Sequence, residues 1–167
     1  MATEACHSSA YLMFVGLSGK IEKNKIHSPL SSETNSGRII DKIVEKLNDL
    51  IPYKTNLVKC SPVDDLGKMR YPSAEEMENC YPKLNNEITI LDPKVVVLLG
   101  SQVSKFVLNK LDLGKKVLDE AAFIKCRIHQ NRLFISTYHP SYMQIYKNKH
   151  IEAYAEQISN AANKFAF

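Results

Sequence analysis

Polar residues that could do chemistry follow three apolar runs of the sequence. A glycine-rich segment, residues 16–20, follows the first run, Asn56 stands within or at the end of the second, and His139 follows the last. Glycine amides can approach a ligand closely, and an imidazole beyond a strand end can bind or catalyse. If the three runs are strands of one parallel sheet, these groups converge in one crevice at its carboxyl edge.

The segment VGLSGK (15–20) is compared with two known catalytic loops and satisfies neither. A P-loop needs Gly where Phe14 stands and Ser or Thr where Ile21 stands. A nucleophile elbow needs a second Gly where Lys20 stands. Two interpretations remain open, a plain strand-to-loop turn and a turn whose amides bind a ligand.

His139 differs from the other four histidines in its setting. It follows a predicted strand and precedes Pro140, which favours an extended backbone at His139 and a helix that begins at Pro140. The imidazole would then project over the strand ends. A histidine in this setting can be a catalytic residue, or a capping or packing residue.

Hydrophobic periodicity predicts strands that alternate with helices. The predicted strands are 11–16, 53–59, 94–100, 122–128 and 132–138. The first predicted helix follows the possible caps Asn35 and Ser36 and runs to Leu50, before Pro52. The second covers 73–91, and the third is capped by Ser101 and runs to Leu111. A C-terminal helix has an apolar face from Ile151 to Phe165. This alternation predicts an α/β fold, a three-layer α/β/α sandwich around a doubly wound, mostly parallel sheet.

Composition narrows the class of protein. The 167 residues, with 44% hydrophobic and 24% charged, predict one globular domain over 1–167 and exclude a disordered or collagen-like chain. The longest apolar run is too short to cross a membrane and the N-terminus is not a secretory signal, so we expect a cytoplasmic protein with no membrane partner. The net charge of +4 permits a polyanionic partner.

Five segments form an ordered set of motifs. They are FVGLSGK (14–20), PLSSETNSGRIIDKIVEKL (29–47), TNLVKCSP (55–62), the segment 71–100 and STYHPSYM (136–143). Together they resemble the uracil-DNA glycosylase superfamily, most closely its family-four and family-five branches. The segment 29–47 is similar to the family's Pro-Phe-x-Gly-x-x-Gly loop, and the last segment to its His-Pro-Ser motif.

The resemblance implies hydrolysis of an N-glycosidic bond in DNA that contains uracil or a related modified base, with the base flipped out of the stack. It places Asn56 on the N3-H and O4 edge of uracil and His139 on O2, where a hydrogen bond stabilises the leaving anion. The remaining implied positions are the substrate-binding Gly16, Leu17 and Ser18, and the DNA-phosphate site at Pro140 and Ser141.

The sequence departs from the family pattern at two positions of the implied pocket. Leu17 stands where family four has an acid, as in family five, so the residue that positions water is sought in the next loop. That loop offers Glu33, Thr34 and Asn35, of which Glu33 and Asn35 are the catalytic candidates. Leu30 stands where the family usually has the Phe that stacks on uracil. It is assigned to substrate binding, with stacking that is weaker or is supplied by another side chain.

The cysteines match the family's iron-sulfur pattern only in part. Cys60 and Cys80 fall on two of the four ligand positions, while the preceding Cys-x-x-Cys is missing and Cys6 is followed by His7. We therefore expect no cofactor and no metal site, with a cluster or zinc at Cys60 and Cys80 as the less favoured alternative.

The leading hypothesis is a monomeric base-excision repair enzyme, a DNA glycosylase without a covalent intermediate. One alternative is a catalytically inactive nucleic-acid-binding or nucleotide-binding module on the same fold. Another is a small-molecule hydrolase that uses Ser18 and His139, although no third triad member is evident.

Overall fold

The structure is a computed structural model, and it describes residues 10–166. Its strands are β1 (Ala10–Ser18), β2 (Ile21–Glu22), β3 (Lys25–Ile26), β4 (Leu50–Val58), β5 (Val95–Leu99), β6 (Asp119–Glu120), β7 (Ile124–His129) and β8 (Arg132–Thr137). Its helices are α1 (Asn35–Val44), α2 (Ala74–Leu91), α3 (Ser101–Lys110), α4 (Pro140–Tyr146) and α5 (Ile151–Ala166), with a 3-10 turn at Asn148–His150.

Six strands form the central sheet in the order β4-β1-β5-β8-β7-β6. The first four are parallel, and β7 and β6 are antiparallel to their neighbours. From β1 the chain passes through α1 to β4 on one side, then through α2 to β5 on the other side. The strand order therefore reverses between β1 and β5, which is where ligands bind in sheets of this kind.

Helices cover both faces of the sheet because alternate side chains of the central strands point to opposite sides. Leu12 and Phe14 of β1 pack with residues of α1, α4 and α5. Met13 and Val15 pack with residues of α2 and α3 on the other face. All four side chains are fully buried, so β1 is a core strand on both faces. The predicted three-layer, doubly wound α/β fold is confirmed.

Several predicted boundaries are wrong, and each has a local physical reason. The N-cap of α1 is Thr34, whose hydroxyl accepts from the Gly37 amide, so neither Asn35 nor Ser36 caps the helix. The helix ends at Val44, and Leu50 opens β4 instead of closing α1. Pro52 lies within β4, which tolerates a missing N–H because this strand is at the edge of the sheet.

The third helix also begins differently from the prediction. Gly100 is its N-cap, with a φ of 95°, and Ser101 is its first residue with no side-chain cap. The sequence patterns did not indicate the short hairpin of β2 and β3, nor β6. In contrast, the capping box of Ser73 and Glu76 is present as predicted, and α2 runs through Pro82 to Leu91.

Candidate active site

A cleft of about 690 Å³ opens at the carboxyl edge of the sheet, around the reversal point of the strand order. Its lining includes the predicted Gly16, Leu17, Ser18, Leu30, Asn56, His139 and Ser141. The structure therefore brings these seven residues from distant parts of the sequence to one place. Their individual roles stay predictions.

Asn56 reaches the cleft from the edge strand β4, beside Gly16 of β1, which is its partner in the parallel register. A Cβ atom on Gly16 would lie 2.5 Å from Oδ1 of Asn56, so the absence of a side chain there makes room for the amide. Asn56 is 6% exposed. A nearly buried amide with one donor group and one acceptor group can read one edge of a planar ligand.

Lys59 supports Asn56 from behind. Its Nζ donates to the Asn56 carbonyl at 2.6 Å, to Thr55 Oγ1 at 2.8 Å and to Glu87 Oε2 at 2.8 Å. The Lys59 and Glu87 side chains are each about one quarter exposed. This cluster joins the end of β4 to α2 and restrains the backbone that carries Asn56.

His139 is the N-cap of α4 and approaches the cleft from the end of β8. Its Nδ1 accepts from the Ser141 amide at 3.1 Å and lies 2.7 Å from Ser141 Oγ. Since an amide can only donate, Nδ1 is unprotonated and a neutral ring carries its proton on Nε2. Burial lowers the pKa of His139, and the nearby Lys20 lowers it further. The ring therefore stays neutral near pH 7 and offers Nε2–H as a donor.

Leu30 enters the cleft from the loop before α1. A Cβ atom on Gly16 would lie 3.7 Å from Leu30 Cδ2, so this side chain closes the pocket next to Asn56. The loop lies directly on α1, because a Cβ atom at Gly37 would meet the Ser31 carbonyl oxygen at 1.8 Å. The Lys54 ammonium, which also pairs with Asp41 at 3.0 Å, donates to the Leu30 carbonyl at 3.2 Å.

Neither candidate for positioning water lies in the lining of the cleft. The Glu33 carboxylate is 2.6 Å from Lys25 Nζ and 3.2 Å from His27 Nδ1, and Lys25 lowers its pKa. Asn35 Oδ1 accepts from Arg38. Thr34, between them, does line the cleft. A catalytic role for Glu33 or Asn35 requires its side chain to turn inward, and both roles stay predictions.

Pro140 and Ser141 form the first turn of α4, as the sequence indicated. The amide and hydroxyl of Ser141 both contact His139 Nδ1, so the structure uses them to fix the imidazole. Pro140 has no N–H and is buried. The predicted phosphate role of these two residues is not tested by this arrangement.

Several residues of the lining were not predicted from the sequence. Arg70, Tyr71, Tyr142 and Tyr146 are these residues. Lys20 also lines the cleft, as the last residue of the glycine-rich segment 16–20 that the sequence placed there. The guanidinium of Arg70 is oriented by two bonds to Glu76, at 2.9 and 2.8 Å. Tyr142 and Tyr146 are four residues apart, a spacing that places both on one face of a helix. Nothing in this spacing shows which helix face meets the cleft.

The expected absence of an iron-sulfur cluster at the cysteines stays a prediction. Cys60 is exposed and Cys80 is partly buried. Over residues 10–166 there is no group of three or more His, Cys, Asp or Glu side chains that could hold a metal ion. Cys6 and His7 lie outside the described residues. No helix within that range is long and apolar enough to span a membrane.

Comparison with known proteins gives a consistent result. A family model described as the uracil DNA glycosylase superfamily matches residues 4–163. The chain is 28% identical over 108 residues to a Type-4 uracil-DNA glycosylase of Sulfurisphaera tokodaii. The aligned segment covers 63% of this chain and 46% of that protein.

Two further relatives carry the same name. Identity is 23% over 141 residues with the protein of Saccharolobus solfataricus, covering 81% of this chain and 62% of the relative. With the protein of Pyrobaculum aerophilum, identity is 31% over 95 residues, covering 53% of this chain and 45% of the relative. The chain thus spans about half the length of the curated relatives it matches.

Proposed function

Because the chain belongs to the uracil DNA glycosylase superfamily, we propose that it hydrolyses the N-glycosidic bond of uracil, or of a related modified base, in DNA. The observation that carries this proposal is the meeting of Asn56 and His139 in one cleft at the carboxyl edge of the sheet. A flipped nucleotide has to leave the stack to reach such a site.

Asn56 supports recognition of the base. Its amide can accept from N3–H of uracil through Oδ1 and donate to O4 through Nδ2. Cytosine presents the opposite pattern at these two positions, so a fixed amide would distinguish the two bases. Gly16 leaves the space, and Lys59 holds the backbone of Asn56 from behind.

His139 supports departure of the base. As the C1′–N1 bond breaks, the bonding electron pair moves onto the uracil ring and C1′ gains oxocarbenium character. The neutral imidazole donates from Nε2–H to the developing negative charge, and Lys20 adds positive charge to the same cleft. Water then adds to C1′ and gives up one proton, the uracil anion takes up a proton, and the hydrolysis is complete without an enzyme-bound intermediate.

The experiment is a single-turnover excision assay on an oligonucleotide with one uracil, followed by alkaline cleavage of the abasic product. His139→Ala is expected to lower the rate by about two to three orders of magnitude, the usual loss for one donor to a developing anion. His129→Ala is the matched control, because His129 lies at the opposite edge of the sheet, where β7 turns into β8.

A wild-type protein that binds DNA and excises nothing would instead support the inactive binding module. A His139→Ala variant with an unchanged rate on bound DNA would leave His139 with a packing role only.

A further inference from the structure

Three tyrosines form a column of neighbouring rings at the cleft, one pair stacked and the other tilted. Tyr138 directly precedes His139, and Tyr142 and Tyr146 follow on α4 at intervals of four residues, which places them on one helix face. The ring centroids of Tyr138 and Tyr142 are 5.1 Å apart with planes at 19°, and those of Tyr142 and Tyr146 are 5.0 Å apart at 41°.

The column has one closed end and one open end. The edge of Phe123 meets Tyr138 at a centroid distance of 6.5 Å and a plane angle of 70°. At the other end Tyr146 is 71% exposed, whereas Tyr142 lies between its two neighbours. Tyr142 and Tyr146 also line the cleft that holds Asn56 and His139. A large aromatic ring therefore stands in solvent at the mouth of the candidate active site.

The charge around the cleft suits a nucleic acid. No Asp or Glu is among the lining residues within 10–166, while Lys20 and Arg70 are. Each of these cations pairs with an acid outside the lining, Lys20 with Glu22 at 3.4 Å and Arg70 with Glu76 at 2.8 Å, so a phosphate competes with those carboxylates. An aromatic ring next to cations is the combination by which proteins hold single-stranded nucleic acids, with bases on the rings and phosphates on the cations.

We propose that Tyr146 is a stacking site for an unpaired base next to the flipped nucleotide, and that the preferred substrate is single-stranded DNA. A base that stacks on Tyr146 continues the three-ring column. A base within a duplex is held by its pairing partner on the opposite strand and would have to break that pair to turn onto Tyr146. This inference rests on the proposed function in so far as it presumes that the cleft takes DNA.

The test is equilibrium binding to uracil-free DNA, which needs no excision. Fluorescence anisotropy is measured with a labelled oligothymidylate of about 12 nucleotides, within the span of known single-strand sites, and with its duplex. We expect tighter binding to the single strand. Tyr146→Ala is expected to weaken it about tenfold and to leave duplex binding within about twofold.

Two variants control for side-chain loss. Tyr146→Phe keeps the ring and is expected to bind like the wild type. Ile90→Ala removes an equally exposed apolar side chain, 73% exposed on α2, near the amino ends of the strands and away from the cleft, and is expected to change nothing. Circular dichroism shows that each variant is folded.

Tyrosine emission gives a second measurement, because the chain has no tryptophan. Oligothymidylate is expected to quench the emission of the wild type, and to quench that of Tyr146→Ala less. Equal loss of binding on single strand and duplex, or no loss on either, overturns the inference. A protein that shows the expected binding but never excises uracil overturns the proposed function and leaves the stacking site standing.

Discussion

At the scale of single residues, two glycines decide how closely the proposed catalytic groups can approach a ligand. Gly16 leaves the space that Oδ1 of Asn56 occupies, and a Cβ atom at Gly100 would lie 3.3 Å from Cβ of His139. Gly100 also adopts a φ of 95°, which disfavours any other residue. The sequence predicted Asn56 and His139 for the site, but the role of Gly100 depends on a contact between β5 and β8 that no local pattern contains.

The first prediction concerns Asn56. Asn56→Ala is expected to lower uracil excision by at least about two orders of magnitude, since two hydrogen bonds to the base are lost in a desolvated pocket. Single-turnover kinetics on a uracil oligonucleotide measure the loss. Asn86→Ala, on the exposed surface of α2, is the matched control and should react at the wild-type rate. Wild-type excision by a folded Asn56→Ala protein would remove the base-reading role.

The second prediction concerns the pH dependence that His139 gives to stability. Its pKa in the folded protein lies below the ordinary 6.5, because burial and Lys20 disfavour the imidazolium. Below about pH 6.5 the unfolded chain therefore binds more protons at this position than the folded chain, and the folded state loses stability as pH falls from 6.5 through the lowered pKa. Above pH 6.5 this effect is absent.

His139→Gln removes the titrating group, so the stability difference between wild type and variant isolates it. We expect urea unfolding to show that difference shifting against the wild type between about pH 7.5 and pH 5.5, the range in which a histidine charges. A difference that stays constant over this range would mean that His139 has an ordinary pKa.

At the scale of elements, the loop before α1 shows where sequence reasoning succeeds and where it fails. The sequence indicated a helix with Ile39, Ile40 and Ile43 on its buried face, and these three are buried. It did not find the cap. Asn35 and Ser36 are good capping types, but the close approach of the Ser31 carbonyl to Gly37 fixes the loop so that Thr34 takes the cap position.

The third prediction tests whether this cap shapes the site. Thr34 Oγ1 accepts from the Gly37 amide at 3.1 Å and donates to the Ser31 carbonyl at 2.8 Å, so it fixes both the helix and the loop that carries Leu30. Thr34→Ala is expected to lower stability by about 1 kcal/mol. It should also lower the excision rate about tenfold, because the pocket wall shifts.

Ser73→Ala serves as the control for this prediction. It removes the N-cap of α2, where Ser73 Oγ accepts from the Glu76 amide at 3.1 Å, and Ser73 does not line the cleft. Its stability loss should be similar, about 1 kcal/mol, and its excision rate close to that of the wild type. Equal rates for the two variants would show that the loop is positioned without the cap.

The ends of elements were harder to predict than their existence for a common reason. Leu50 continues the apolar spacing of α1, yet it is buried as the first residue of β4 and pairs with Ala10. The strand pairing with β1 outweighs the helical pattern, and this pairing is a long-range contact. The hairpin of β2 and β3 has two residues in each strand, too few to show a period of two.

At the scale of the whole molecule, the position of the cleft follows from the topology. The strand order reverses between β1 and β5, and this leaves an opening at the carboxyl edge of the sheet. The motifs of the sequence follow the strands around that opening. The sequence predicted the convergence of the glycine-rich turn, Asn56 and His139 on the condition that their strands belong to one parallel sheet, and the observed sheet meets that condition. The tyrosine column was not predicted, because only the packed structure shows that one face of α4 borders the cleft.

The last prediction concerns the cofactor content of the whole protein. Cys60 and Cys80 match two ligand positions of the family's iron-sulfur pattern, but a cluster needs four thiolates or close substitutes. Cys126 is buried in β7, where burial raises the pKa of its thiol to about 11 and disfavours the thiolate.

We expect protein purified without oxygen to contain no stoichiometric iron or sulfide and to show no broad visible absorbance. Cys60→Ser should then unfold at the same denaturant concentration as the wild type. About four irons per chain, lost together with stability in Cys60→Ser, would establish a cluster completed by residues outside the described range.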